Sequence, residues 1–252
     1  MVDLDRLSAA YETARCDLLA ESAAEGHWIG QLSSSPLATA CAISALTIVE
    51  RHAPCLRGRF ADEAREGRLS ALIMAGVRWL ADHQNPDGGW GESEGCPSDH
   101  AATWLVRCAF ALTAVPADHP GLLDGADAYL RAQRGLSGLR RRYRRDKIFF
   151  AALMTNAALA GLVSWRRVST AAFERACSAW APQLLRPRTR PGDLPVLVAT
   201  GMARFGHRKP WNPLARWVRS RAQPDGLRLI ESLQPASGGF LESVPLASFM
   251  VM

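Results

Sequence analysis

The chain has 252 residues, 48 % of them hydrophobic and 21 % charged, which is enough apolar material for a sizeable core and excludes a disordered polymer. Its net charge of +6 is carried almost entirely by arginine, Lys147 and Lys209 being the two lysines. The densest basic cluster, Arg140, Arg141, Arg142, Arg144, Arg145 and Lys147, holds Tyr143 as its single aromatic. It lacks the interleaved rings that base stacking needs, so nucleic acid is not an expected partner. The cluster reads as a solvated helix entry or as a contact for a membrane or another anion.

In chain order, helical periodicity of apolar residues predicts helices near 4–24, 37–50, 69–83, 100–114, 121–134, 147–163, 171–181, 193–205 and 212–222. In the second of these, Leu37, Ala40, Cys41, Ser44 and Ile48 form one stripe; in the third, Leu72, Ile73, Gly76, Val77 and Leu80 do. The breaks carry stop signals at Pro36, Pro54, Pro86 with Gly88-Gly89, Pro97, Pro116, Pro120, Pro210, Pro224 and Pro235. No stretch alternates as a strand should. The expectation is an all-α chain of roughly ten helices joined by short loops.

The N-terminus carries Asp3 and Asp5 and no apolar signal region, and apolar runs such as Ala151 to Val163 are too short to cross a bilayer. The six cysteines, Cys16, Cys41, Cys55, Cys96, Cys108 and Cys177, are scattered without a Cys-x-x-Cys pair. Free thiols in a reduced, cytoplasmic compartment are therefore expected in preference to a disulfide framework.

Three places share one pattern, an aromatic residue after glycine, a short polar loop, then a hydroxyl or acidic residue opening an apolar helix. They are Gly26-His27-Trp28 before Ser35, Gly88-Gly89-Trp90 before Asp99, and Gly238-Gly239-Phe240 before Ser243. In the second and third, Gln84 and Gln234 stand four residues before the first glycine. A degenerate copy lies at Gln133 to Leu139, where the aromatic is lost. A glutamine at a helix end can hydrogen-bond unpaired backbone groups, the glycines permit a sharp reversal, and the ring wedges between successive helices. Gln84, Gly88, Trp90, Gln234, Gly238 and Phe240 are thus read as structural joints of a helical repeat.

The motif Gln84-x3-Gly88-x-Trp90, inside Val77-Arg78-Trp79-Leu80, resembles the QW repeat of the squalene–hopene and oxidosqualene cyclases, the terpene cyclase/mutase family. The block from Asp146 to Leu162 is similar to the first half of those chains, as are Asn212 to Arg216, Gln234 to Glu242 and Gly26 to Thr39. The resemblance implies one α/α-toroid domain over residues 1–252, built from helix-pair repeats. It also implies terpenoid biosynthesis of the triterpene or hopanoid type, by cation-driven cyclisation of a polyprenyl substrate. No metal or organic cofactor is implied. The implied location is cytoplasmic, in peripheral contact with the inner face of the membrane.

One departure bears on mechanism. The family protonates its alkene with the central aspartate of an Asp-x-Asp-Asp motif, and here the nearest sequences are Asp3-Leu4-Asp5-Arg6 and Asp124-Gly125-Ala126-Asp127. Protonating an alkene requires an unusually strong, desolvated acid. No catalytic residue is therefore assigned. The chain is read as the N-terminal portion of such an enzyme, with a separate C-terminal cyclase chain as the expected partner. Two other readings stand beside it. One is a non-catalytic helical-repeat scaffold binding lipid or protein, and the other is a prenyl-diphosphate enzyme of related toroid fold that uses the arginine cluster.

Bland roles are expected for the remaining residues that carry chemistry. Trp28, Trp90 and Phe240 read as packing wedges in preference to a carbocation lining. Asp99 reads as a helix N-cap, since adjacent Asp99 and His100 on a helix do not face each other. Glu94, Cys96 and His100 do not match the spacing of a zinc site, so no metal is assigned.

Overall fold

The structure is a computed structural model, and it describes residues 3–22, 33–55, 62–63, 66–114, 121–168, 193–236, 238–240 and 243–252. The joint at Gly26-His27-Trp28, the helix expected over 171–181 and Cys177 lie outside the described residues. Every regular element among the described residues is helical. The α-helices are α1 (Leu4–Ala20), α2 (Pro36–His52), α3 (Arg68–Asp82), α4 (His100–Thr113), α5 (Leu122–Ala132), α6 (Gly135–Arg142), α7 (Lys147–Leu159), α8 (Asp193–His207), α9 (Pro213–Leu233) and α10 (Val244–Val251). Two short 3-10 turns, Ala53–Cys55 and Trp165–Arg167, follow α2 and α7.

The chain divides into two compact units, Met1–Ser34 and Ser35–Met252. The first contains α1, opened by Asp3, whose carboxylate accepts from the N–H groups of Asp5 and Arg6. That helix contributes no buried residue.

In the second unit four helix starts are written in side chains. Ser35 accepts from the N–H of Ala38, Asp99 from Ala101 and Ala102, Asp146 from Phe149, and Asn212 from Leu214 and Ala215. Each satisfies N–H groups that a helix N-terminus leaves unpaired, a contribution of about 1 kcal/mol per cap. Gly161, at φ +74°, ends α7 four residues before sequence had suggested. The Leu162 N–H then turns back to the carbonyl of Ala157 at 2.9 Å.

Helix α2 packs against α3, α4 and α10; α4 packs also against α5 and α7; α8 packs against α7, α9 and α10. Followed in turn, the contacts run α2, α4, α7, α8, α10 and back to α2, a closed circuit. Helices α3 and α9 each pack on one member of that circuit, α2 and α8, and α5 packs on α4 and α6. The main core lies among α2, α3, α4, α5 and α7, around Cys41, Ile43, Val77, Leu80, Trp90, Leu105, Phe110 and Leu153. Helix α4 is buried on nearly every side, as expected of a helix apolar all round.

Two elements differ from the sequence expectation. The segment 133–139, read as a degenerate joint, is a helix–helix junction, with Gln133 closing α5 and Gly135 opening α6. Pro224, read as a break, lies inside α9. Ala222 before it and Leu229 and Ile230 after it pack on Val198 and Met202 of α8, and the exposed proline faces away. Packing on α8 outweighs the one hydrogen bond that the proline removes.

Candidate functional site

The site begins at the end of α3, where the chain reverses through Gln84 to Glu92 and re-enters α4 at Asp99. The Gln84 side-chain amide donates to the Gly88 carbonyl at 2.8 Å and to the Leu122 carbonyl at 3.0 Å, tying the turn to the start of α5. Asn85 donates to the Cys96 carbonyl at 3.1 Å and to Ser98 Oγ at 2.9 Å. Ser98 Oγ in turn donates to Asp87 Oδ1 at 2.6 Å. Gly88 sits at φ +83°, and a Cβ there would stand 2.4 Å from the Gly125 carbonyl oxygen. Both the backbone conformation and the close approach of α5 therefore require glycine.

Trp90 is fully buried. Its indole N–H donates to the Leu80 carbonyl at 2.8 Å, and its backbone N–H donates to Thr103 Oγ1 at 2.9 Å. The ring lies 6.0 Å from Phe110 between centroids, tilted by 56°. Trp90 therefore joins the end of α3 to α4 and lines no open cavity. Ser35 Oγ donates to the Glu92 carbonyl at 2.5 Å, so the same turn also holds the start of α2.

The second joint repeats the closure. Gln234 donates to the Gly238 carbonyl at 2.8 Å, Gly238 has φ +81°, and Phe240 is buried. The clamp distance and the glycine conformation match the first joint. Among the described residues Gln234 makes no second bond like the one from Gln84 to a neighbouring helix, and it is exposed.

Beneath the first joint lies a polar cluster. Asp99 is the buried carboxylate among the described residues. Its Oδ1 accepts from the N–H groups of Ala101 and Ala102 at 2.8 and 3.1 Å, and its Oδ2 faces the Arg142 guanidinium at 2.6 Å. The carboxylate raises the Arg142 pKa further above its already high value. Tyr129 donates to the Ser98 carbonyl at 2.8 Å. The Tyr129 and Tyr143 hydroxyls are both pushed up, by burial first and by Asp99 among the neighbouring charges.

His100, beside Asp99, is buried, and its Nε2 has no hydrogen-bond partner among the described residues. Burial lowers its pKa below the usual 6.5, and Asp99 opposes that shift. Trp104 Nε1 and Asn156 Oδ1 are likewise buried without a partner there, although Asn156 Nδ2 reaches Ser44 Oγ at 3.4 Å.

The arginine cluster does not act as one group. Arg142 is committed to Asp99, whereas Arg140, Arg141, Arg144, Arg145 and Lys147 are exposed, and no carboxylate pairs with them among the described residues. The aromatic neighbours of the cluster turn inward, with Tyr143 against Phe149 at 5.0 Å and Phe149 against Phe249 at 6.5 Å. Asp146 is spent on capping α7. Glu94 stands 3.5 Å from His83, and among the described residues no group of three or more His, Cys, Asp or Glu side chains could hold a metal ion.

Sequence reasoning assigned the roles of Gln84, Gly88, Trp90 and Asp99 from their places in the repeat. It missed Arg142 as the partner of Asp99, because the two stand 43 residues apart and nothing in their spacing signals contact.

At the other end of the bundle, Ile48, Val49, Arg51 and His52 of α2, Leu112 of α4, Leu159 of α7, His207 of α8, and Val251 with Met252 line a cavity of about 370 Å³. The carboxyl ends of α2, α4, α7, α8 and α10 thus converge. Arg51 donates to the Leu112 carbonyl there, a cation placed where helix dipoles leave partial negative charge. No protein-family model, curated protein or solved structure matches the chain.

Proposed function

We propose that this chain is an α/α-toroid module of the squalene–hopene cyclase type, belonging to terpenoid biosynthesis and working with a second half that carries the Asp-x-Asp-Asp acid. The observation that carries the reading is the shared closure of the two joints, with a glutamine amide on a glycine carbonyl at 2.8 Å in both. Two features of the helices support it. The contacts among α2, α4, α7, α8 and α10 return to their start, and the carboxyl ends of all five meet around one cavity. Such an arrangement suits an inner ring of parallel helices, with α3, α5 and α9 as outer partners.

On this reading the chain supplies apolar walls and the second half supplies the proton. The test is to incubate squalene with the chain alone, and with the chain plus an Asp-x-Asp-Asp-bearing C-terminal half. The expected outcome is cyclised hydrocarbon from the mixture only. Product from the chain alone, or none from either, overturns the reading.

A second reading, a scaffold without catalysis, is favoured by Asp99. The buried carboxylate has both oxygens engaged as acceptors, of two backbone N–H groups and a guanidinium, so neither is placed to donate a proton to an alkene. This reading expects a folded protein that leaves squalene unchanged in both incubations.

A further inference from the structure

Helix α1 presents an apolar face that its own unit leaves open. Leu4, Leu7, Tyr11, Ala14 and Leu18 recur at alternating intervals of three and four residues, the spacing that puts side chains on one stripe of a helix. Leu4 is 75 % exposed and Tyr11 63 %, and Leu7, Ala14 and Leu18 are exposed with them. A helix in a protein draws most of its stability from burying such a stripe, and α1 buries no residue. Its charge is acidic: Asp3, Asp5, Glu12, Asp17 and Glu21 stand against Arg6 and Arg15.

The second unit carries a face of opposite charge. On α9, Leu214, Trp217, Val218 and Arg221 recur at i, i+3, i+4 and i+7, and all four are exposed. Trp211, just before the helix, is fully exposed. These side chains are separate from Ala222, Leu229 and Ile230, by which α9 packs on α8. From Leu194 to Pro224 the chain has no aspartate or glutamate, and Arg208, Lys209, Arg216 and Arg221 are exposed. The Arg221 guanidinium stands 5.4 Å from the Trp217 ring centroid, so cation and indole occupy one surface.

We propose that α1 of one copy docks along the exposed face of α9 in a second copy, so that two chains exchange these helices and form a two-fold dimer. Each face supplies what the other lacks. Two apolar stripes remove one another from water, and an acidic helix meets a basic segment free of acids. Pairing α1 with α1, or α9 with α9, would instead bring like charges together, which opposes association. Reciprocal exchange makes the contact twice and closes on itself, leaving neither stripe open to a third chain. The inference is independent of the cyclase reading, since it uses neither joint.

The test is the mass of the full chain in solution, followed by sedimentation over a wide range of concentration. A dimer that dissociates on dilution is expected. Leu7→Ser with Tyr11→Ser, and separately Trp211→Ser with Trp217→Ser, should each weaken it by about tenfold or more. Asp5→Lys with Asp17→Lys, and Arg216→Glu with Arg221→Glu, should each give a monomer when alone. Mixed in equal amounts, these two charge-reversed chains should form a heterodimer, because each α1 then meets an α9 of opposite charge. Arg140→Glu with Arg141→Glu should leave dimerisation within about twofold, and circular dichroism checks that every variant is folded. A monomer at all concentrations overturns the proposal, and this includes a chain whose α1 covers its own α9. A dimer that survives both charge reversals, or a mixture that stays monomeric, also overturns it.

Discussion

Gln84 and Gln234 do the same job with different partners, so their substitution separates the joint from its surroundings. Gln84→Ala removes bonds to two carbonyls, Gly88 and Leu122, both in buried residues, and is expected to cost about 1–3 kcal/mol. Gln234→Ala removes one bond at an exposed site and should cost less than about 1 kcal/mol. Urea unfolding of the two variants checks the order, and equal losses would contradict it. His100 makes a prediction in pH. Its pKa in the folded protein lies below 6.5, so between those two values the unfolded chain binds the extra proton. Stability should therefore fall as pH drops below 6.5 and be insensitive to this residue above it. The slope of unfolding free energy against pH should flatten in His100→Gln, measured between pH 5 and 7.

At the scale of elements, capping residues tell where helices begin more securely than periodicity tells where they end. Ser35, Asp99, Asp146 and Asn212 each bond the N–H groups their type suggests. The end of α7 came at Leu159 because Gly161 takes a left-handed turn that apolar periodicity does not register. Helix α9 erred the other way, running through Pro224 because its contact with α8 continues. Pro224 is exposed within that helix, so Pro224→Ala should restore one helical hydrogen bond and raise stability by about 1–3 kcal/mol. Thermal unfolding followed at 222 nm is the check; an unchanged or lower midpoint would show that the proline is needed for the local path of the chain.

For the molecule as a whole, the buried contact between α2 and α4 is the strongest statement of the fold, and two cysteines report on it. Cys41 and Cys108 are fully buried, and burial pushes both thiols well above their ordinary pKa. Cys16, Cys55 and Cys96 are exposed. A thiol reagent should label those three in the native protein and reach Cys41 and Cys108 only on unfolding, at the rate of global opening. Mass-spectrometric mapping over time checks this. Early labelling of Cys108 would mean that α4 is not the centre of the core.

The amino-acid sequence by itself determined the all-helical class, most helix starts, and the joints at Gln84 and Gln234. Those depend on groups within a few residues of one another: a cap and its N–H, a glutamine and the carbonyl four residues on, a glycine and its own φ. Only the tertiary structure decided that Asp99 pairs with Arg142, that five helices meet in a circuit, and that Trp211 and Trp217 face outward. An indole has the same apolar surface in any of these places. Which indole is covered depends on helices that arrive from distant parts of the chain, and local spacing carries no record of that arrival.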